Sequence, residues 1–460
     1  MPNTKIHFSL SERKLYLRLL DVLLPILSFY VISLVTEYQY FNFKNPQILT
    51  WSISLSIYVL FFGEIFEMYN LKVASDKYLT LRSTVLTVLF ATIFYVFTPY
   101  YSPLLPQNRL QILYFFGVIL ISILCNRFIY IQFIFSPRFL KNILIIAEEA
   151  EIEKILACEQ HQEINMIKCY VSDENIKNDT LKFIDIQHAN IAELVKEYAI
   201  NEIIVSSTNS ALITKKINNQ LIAIFEKGLN IKSVDSFIEN ETFRVSENKL
   251  THNFYSYFTF SKSQENNVYM SFHRILDIGI SLLGIVTLVF LVPFVVLGNL
   301  AGNWGGLFYT QNRVGKRGKE FKIIKFRSMV TNAEEHGAVW AKKNDMRVTK
   351  FGRLLRKSRI DEIPQFINVL KGDMSLIGPR PERPEFVQQL EQDLPYYAMR
   401  HVIKPGLTGW AQVMHPYAST VKDQQDKLMY DLYYIKERNL LMDFKIIVKT
   451  ISTVLFFRGT

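Results

Sequence analysis

Four apolar blocks crowd the first third of the chain, near residues 19–36, 48–65, 83–99 and 110–135. Each approaches the ~20 residues that a helix needs to cross a bilayer. In lipid only helices and closed barrels satisfy every backbone polar group, so few folds remain open to this segment. The hydrophobic fraction of 49% and the mean hydropathy of +0.12 exceed a soluble norm, and the excess sits in blocks rather than being spread along the chain. Residues 1–138 are therefore expected to form a four-helix transmembrane bundle. Lys5, Arg13, Lys14 and Arg18 precede the first block; Lys72, Lys77 and Arg82 separate the second from the third; Arg127, Arg138 and Lys141 close the fourth. The other two connections carry little beyond Lys44 and Arg109. The positive-inside rule then puts both ends of the module in the cytoplasm. Asp21, Glu64 and Glu67 fall near the expected interfaces and read as anchoring residues. The first block lacks a small-residue cleavage site, so it reads as an anchor and not as a removable signal.

The middle of the chain changes period. KNILIIA (141–147) and EIIVSS (202–207) read as buried strands alternating with helix-like runs, the pattern of an open parallel sheet. A dinucleotide-binding sheet needs G-x-G-x-x-G after its first strand, so that backbone can approach a pyrophosphate. Here the strand runs into Ala147, Glu148, Glu149 and Ala150. Two carboxylates would repel a phosphate, so residues 139–262 are expected to be a Rossmann-like domain with no dinucleotide, in a structural or oligomerising role. Cys125, Cys158 and Cys169 have neither metal-site nor disulfide spacing, which suits a reducing compartment. The net charge of +10 suits an anionic membrane surface or phosphorylated substrates. With no aromatic-basic motif, no nucleic acid is expected.

A fifth apolar block, 275–300, poses a topological question. If it spanned the membrane, everything after it would be outside the cell. Yet residues 313–359 hold fifteen lysines and arginines against four acids, a cytoplasmic signature. A helix over 271–303 that enters, bends at Pro293 and leaves on the same side reconciles the two. An ordinary fifth span is the alternative.

Residues 304–460 carry the chemistry. The segment 356–385 reads RKSRIDEIPQFINVLKGDMSLIGPRPERPE. Its acidic pair, Asp361 and Glu362, precedes a run with apolar residues at helical spacing, with Pro364 suited to a first helical turn. Asp361 has two readings. It could cap a helix, or, among Arg356, Arg359, Arg380 and Arg383, serve as a nucleophile in phosphoryl transfer with guanidinium forks on the phosphates. Residues 305–329 predict a hairpin turning at 314–318, whose Lys316, Arg317 and Lys319 also suit lipid headgroups. KPGLTGWAQV (404–413) is a turn that either offers backbone N–H groups or simply packs through Trp410. The closing residues alternate Tyr and Phe with lysines, as amphipathic helices at an interface do.

From about Phe272 onward these motifs resemble, in order, the bacterial sugar transferases, the polyprenyl-phosphate phosphoglycosyl transferases that initiate exopolysaccharide, capsule or O-antigen synthesis. The resemblance implies a sugar 1-phosphate moved from a UDP-sugar to undecaprenyl phosphate at the inner membrane, with release of UMP. It implies Asp361 as nucleophile forming a phosphosugar-aspartate intermediate, Mg²⁺ on the diphosphate, and Glu362 helping to hold the metal or the acid-base network. Arg356, Arg380 and Arg383 would grip phosphate oxygens. Lys325 and Arg327 match the family's K-F-[RK]-[ST]-M motif, Thr408 lies in the glycine-rich turn, and Asp431 coincides with an acidic active-site position. Arg274, Asp277 and Pro293 match the family's re-entrant helix. His273, Val292 and Met346 depart from the commoner lysine, serine and proline. The larger members carry a similar middle domain, usually regarded as regulatory.

The expected fold class is α/β plus membrane helices: a transmembrane bundle, a Rossmann-like parallel sheet, a re-entrant membrane helix, and a compact cytoplasmic α+β catalytic domain with amphipathic interfacial helices. Glucose and galactose rank ahead of N-acetylated sugars as donors, and the sequence leaves the oligomeric state open, a homo-oligomer included. Two rivals remain. A membrane-bound nucleotide-sugar epimerase or dehydratase would need the glycine motif and a Tyr-x-x-x-Lys pair, and residues 141–270 contain neither. A non-catalytic scaffold on anionic lipids would have no use for the acid-arginine constellation.

Overall fold

The computed structural model describes residues 10–35, 38, 40–70, 73–74, 76–134, 141–159, 165–176, 181–206, 213–246, 266–300, 302–303, 305–333, 345–394, 396–415 and 420–455. The expected domain limits at 262 and 304 lie outside them. The described chain is mostly helical, with a parallel-sheet α/β domain, and divides into two compact units, Met1–Val234 and Asp235–Thr460.

The first unit begins with α1 (Leu10–Val35), α2 (Ile48–Ile65), α3 (Lys77–Val96) and α4 (Leu110–Ile129), all long and apolar enough to cross a membrane. Helix α1 starts ahead of its apolar block, so Arg13 and Arg18 are on the helix itself. Asp76 caps α3 by accepting a 2.7 Å hydrogen bond from the Leu79 N–H. The helices pack α1 on α4, α2 on α3 and α3 on α4. Aromatic rings fill the seam, with Phe29 and Tyr95 lying 5.0 and 5.3 Å from Phe115 between centroids. Leu23, Leu27, Ile53, Ile57 and Leu113 point outward and are exposed.

The sheet follows: β1 (Lys141–Ile146), α5 (Glu149–Glu159), β2 (Asn165–Ser172), β3 (Lys182–Asp185), α6 (Ile191–Glu197), β4 (Glu202–Val205), α7 (Lys215–Phe225) and β5 (Asn230–Ser233). Its order is β3-β2-β1-β4-β5, every pair parallel. The central β1 is buried throughout Ile143–Ile146, which is why 143–147 reads as an unbroken apolar run. Strand order reverses between β1 and β4, the place where such sheets usually bind ligands. Glu148 and Glu149 stand there, at the start of α5.

In the second unit α8 (Val234–Thr242) leads to Phe243 and Val245, which pack in a core with Val369, Met374, Trp410 and Leu432. Next comes α9 (Asn267–Leu300), the fifth apolar helix. The hairpin appears where the alternation puts it, as antiparallel β6 (Phe308–Val314) and β7 (Glu320–Phe326). The remainder comprises α10 (Lys350–Lys357), a 3₁₀ segment (Ile360–Gln365), α11 (Phe366–Lys371), β8 (Ser375–Ile377), α12 (Pro384–Asp393), a second 3₁₀ segment (Tyr397–Val402), β9 (Gly406–Thr408), α13 (Trp410–Met414), α14 (Val421–Glu437) and α15 (Leu440–Leu455). Pro364 therefore sits in a 3₁₀ turn ahead of α11, not in the first turn of an α-helix.

Helix α9 has 34 residues and at 1.5 Å per residue is about 51 Å long, against a hydrocarbon core of about 30 Å. Asp277, Ser281, Gly284, Leu288, Val295 and Asn299 form one buried stripe at heptad spacing along it. Phe366 occupies the space beside Gly284, and Phe351 that beside Gly298. Near the start, Arg274 donates 2.8 Å hydrogen bonds to the Val369 and Leu370 carbonyls at the end of α11. Asp277 Oδ1 accepts from the Leu376 N–H at 2.8 Å and from Ser375 Oγ at 3.0 Å. The opposite face exposes Ile275, Leu283, Val289, Phe290, Phe294 and Leu297.

The short parallel ladder β8–β9 explains three glycines. A Cβ on Gly406 or Gly409 would overlap the backbone of Gly378, and one on Gly378 would overlap the Lys404 carbonyl. The Gly406 N–H donates to the Pro379 carbonyl at 2.9 Å and the Gly378 N–H to the Thr408 carbonyl at 2.9 Å. The N–H groups of this turn that the ladder uses are thus spent on structure. Gly406→Ala forces backbone against backbone and should cost about 3 kcal/mol, lowering the melting temperature by several degrees. An unchanged melt in detergent would mean that the ladder can open without penalty.

Candidate active site

Chain geometry around Asp361 is set by a single turn. Thr349 caps α10, accepting from the Gly352 N–H at 2.9 Å. After its C-cap Ser358, Arg359 takes the left-handed conformation (φ 58°), a position that usually falls to glycine. The strain of a non-glycine residue there is of order 1 kcal/mol or more. It swings Asp361 and Glu362 into the interior, where both are buried.

The two acids have different surroundings. Glu362 Oε1 accepts from Lys325 Nζ at 3.0 Å and Arg380 Nη2 at 2.7 Å, while Arg359 lies 3.7 Å from Oε2. Burial pushes the Glu362 carboxyl up, but Arg380, Lys325 and Arg359 overcome it and hold it well below the usual range. Asp361 has only 7% of its surface exposed, and its Oδ1 is buried without a hydrogen-bond partner. Burial first, and then the Glu362 charge, raise its carboxyl; Lys325, Arg356 and Arg359 pull the other way. No side chain caps either the 3₁₀ segment or α11, so the helix-cap reading of Asp361 has no hydrogen bond behind it.

Lys325 reaches the pair from β7, and its ammonium is pushed down by burial against the pull of Glu362. Arg380 comes from the loop after β8, and Glu362 raises its guanidinium further. Arg356 comes from the last turn of α10, donating from Nε to Ser328 Oγ at 2.9 Å. Four basic side chains against two carboxylates leave the site electropositive, as a diphosphate requires.

Other sequence-predicted residues are placed differently. Arg327 donates to the Asn303 carbonyl and packs on Gly305. Thr408 Oγ1 lies 2.7 Å from Thr450 Oγ1 of α15. Arg383 precedes α12 with its guanidinium 5.8 Å from the Phe386 ring. Asp431, fully buried, pairs with Arg400 at 2.8 Å, and Arg400 also donates to the Arg380 carbonyl at 3.0 Å. Burial raises the Asp431 carboxyl while Arg400 and Lys427 lower it. This pair buttresses the Arg380 loop from behind. Sequence reasoning missed Arg400 and Gln412. Gln412 Oε1 accepts from Arg380 Nη1 at 3.0 Å, and its Nε2 is buried without a partner. Gln412 stood inside the glycine-rich turn, and a polar residue two positions after a buried Trp was the available signal.

Residues 268–457 match the family described as bacterial sugar transferase. Over 151 residues the chain is 54% identical to the UDP-N-acetylgalactosamine-undecaprenyl-phosphate N-acetylgalactosaminephosphotransferase of Aeromonas hydrophila, covering 33% of this chain and 36% of that protein. It is 37% identical over 187 residues to the UDP-glucose:undecaprenyl-phosphate glucose-1-phosphate transferase of Caulobacter vibrioides, covering 40% of this chain and 69% of that one. With the Escherichia coli protein of the same name it is 41% identical over 149 residues, 32% of each chain. The match thus spans about a third of the length of two of these relatives and two thirds of the other.

Proposed function

The chain belongs to the bacterial sugar transferase family, and on that premise we propose that it is a phosphoglycosyl transferase moving a sugar 1-phosphate from a UDP-sugar to undecaprenyl phosphate. The product is the lipid-linked diphosphosugar on which a polysaccharide is built. One observation carries the reading: of two adjacent buried carboxylates, one is saturated by cations and the other has a free oxygen. A saturated carboxylate positions; an unsaturated one can attack.

In the first half-reaction an Asp361 oxygen bonds to the β-phosphorus of the donor. The bond from that phosphorus to the bridging oxygen breaks, and UMP leaves with the bridging oxygen and its charge. In the second, a phosphate oxygen of the lipid bonds to the same phosphorus and the Asp361 carboxylate is released. Arg380 and Lys325, held by Glu362, face the charge that develops on the phosphoryl oxygens; Arg356 and the free Gln412 amide add donors. Arg383, Thr408 and Arg327 are assigned to substrate contacts, and Asp431 acts through Arg400, which donates to the Arg380 carbonyl.

The residues fit Mg²⁺. Among the described residues no three acids, histidines or cysteines cluster, but Mg²⁺ is commonly held by one or two carboxylates plus substrate phosphates. Asp361 Oδ1 is the open donor, and Glu362 would join it only by releasing Lys325 or Arg380. Bound there, Mg²⁺ would neutralise charge on the diphosphate.

The proposed architecture is a four-helix bundle (1–138) in the inner membrane, a Rossmann-like domain (139–262), a re-entrant helix (271–303) bent at Pro293, and a cytoplasmic transferase domain (304–460) with anionic lipids at its surface. The stripe that ties α9 to its domain at both ends supports the half-inserted helix, because a perpendicular span would carry that end of the domain into lipid. Lys319→Cys should resist an impermeant thiol reagent in intact spheroplasts; rapid labelling would mean that α9 spans.

The Aeromonas relative is named for N-acetylgalactosamine, so UDP-N-acetylgalactosamine moves ahead of glucose and galactose as donor. Purified protein with undecaprenyl phosphate and Mg²⁺ should release UMP from one UDP-sugar of a panel at least about tenfold faster than from the others. No release from any of them would favour the scaffold.

A further inference from the structure

Two adjoining cavities, of about 430 and 260 Å³, open on the second unit and share Lys316, Arg317 and Val402. The smaller is lined by six basic side chains: His273 and Arg274 of α9, Lys316 and Arg317 of the β6–β7 turn, Lys404, and Arg438. Its one acid, Asp277, is engaged by the Leu376 N–H and Ser375 Oγ and faces His273 at 3.8 Å. Glu391 borders the larger cavity. Lys316, Arg317 and Lys404 form no ion pair among the described residues. Burial and then neighbouring cations push both lysines down, Arg317 and Arg438 acting on Lys316, and Arg274 and Lys316 on Lys404 against the pull of Asp277 and Asp373. Such a cluster is short of an anion.

Its rim says which kind. Beside the cleft, α9 exposes Met270, Phe272 and Ile275, and α15 exposes Leu440, Leu441 and Phe444. The two helices meet here, Tyr269 donating to Asp443 Oδ2 at 2.8 Å. An apolar collar around a cationic cleft matches acyl chains around a headgroup phosphate, whereas a water-soluble anion would gain nothing from the collar. Neither Asp361 nor Glu362 lines the cleft. Arg274 holds the last carbonyls of α11, and Asp361 lies nine residues earlier, about 15 Å away along 3₁₀ and α-helical rises.

We propose that this cleft binds the phosphodiester headgroup of an anionic phospholipid, fixing the depth at which α9 sits in the bilayer. The inference does not require the transfer chemistry; it needs only that the exposed face of α9 meets lipid. The test uses the full chain in neutral detergent, titrated with a fluorescent phosphatidylglycerol and, separately, a phosphatidylcholine carrying the same label, read by anisotropy. Phosphatidylglycerol should bind at least about tenfold more tightly. The combined Lys316→Gln, Arg317→Gln and Lys404→Gln variant should lose that preference, while the surface control Lys319→Gln, Lys322→Gln and Lys350→Gln should keep it. Lys316→Arg with Lys404→Arg preserves the charge and should also keep it, which guards against a misfolded variant. Millimolar inorganic phosphate or UDP should not displace the lipid. Displacement by either would make this a site for soluble phosphates, and equal binding of the two lipids, or an unaffected cleft variant, would equally overturn the proposal.

Discussion

Asp361→Asn is expected to abolish UMP release and, at the same time, to make the protein more stable. The substitution keeps size and shape but removes the attacking charge, so a rate loss of about 10⁴-fold or more follows if the carboxylate is the nucleophile. The stability gain has a separate origin. Burial and the neighbouring Glu362 charge raise the Asp361 carboxyl to about 6, from an ordinary value of 3.8. A carboxyl raised on folding contributes stability that is complete below its unfolded pKa and is lost as pH climbs through the folded one. At pH 7.5 the ionised group therefore costs the metal-free fold about 3 kcal/mol. Asparagine carries no such cost, and Oδ1 has no hydrogen bond to lose. Melting in the presence of a chelator should rise by several degrees in the variant, and Mg²⁺ should stabilise the wild type alone. Incubation with UDP-sugar and Mg²⁺, followed by peptide mapping, should find a phosphosugar on Asp361 and none in the variant. Full activity, or an adduct elsewhere, would remove Asp361 from the mechanism; a lower melting point would make it a structural residue.

What could be read in advance followed from local signals. Long apolar blocks gave the five helices, because length and composition alone decide whether a helix suits lipid. The unbroken run 143–146 betrayed a strand buried on both faces. Asp361 and Glu362 stood out because two acids in a basic stretch are chemically conspicuous. What could not be read was which partner each charge would choose. Glu362 binds Lys325 from 37 residues upstream and Arg380 from 18 downstream, and the Asp431–Arg400 buttress closes over 31 residues. No periodicity encodes such closures. Arg359 was visible as a cation but not as the left-handed hinge that turns both acids inward. Thr408 and Arg327 followed motif position, and the structure sets Thr408 Oγ1 against Thr450 and one Arg327 nitrogen on the Asn303 carbonyl. Residues 235–246 read as an extension of the sheet domain, whereas Val245 and Phe243 pack on the core around Trp410. That contact depends on Phe243 and Val245, which follow the polar run 239–242.

The membrane module should depend on a charge pair that its sequence places only near an interface. Asp21 of α1 is fully buried and accepts from Asn126 Nδ2 at 2.8 Å and from Arg127, both of α4. Arg127 is 1% exposed and lies over the Tyr69 ring at 5.5 Å, while Arg18 lies over the same ring and pairs with Glu64 of α2. Three helices thus converge on one tyrosine. Two of the Arg127 nitrogens, Nε and Nη1, are buried without partners, so the guanidinium is balanced almost entirely by Asp21. Removing one member leaves the other charged, buried and alone, which typically costs 3–5 kcal/mol. Asp21→Ala should therefore sharply lower the melting temperature and the yield of folded protein from detergent, with Arg127→Met close behind. Replacing both, as Asp21→Leu with Arg127→Met, removes the desolvated charges together and should recover most of the loss. The double-mutant cycle should give a coupling of about 2 kcal/mol or more. Additive losses would show that each residue acts separately, and a harmless Asp21→Ala would mean that water reaches the Arg127 guanidinium and the pair is not what joins α1 to α4.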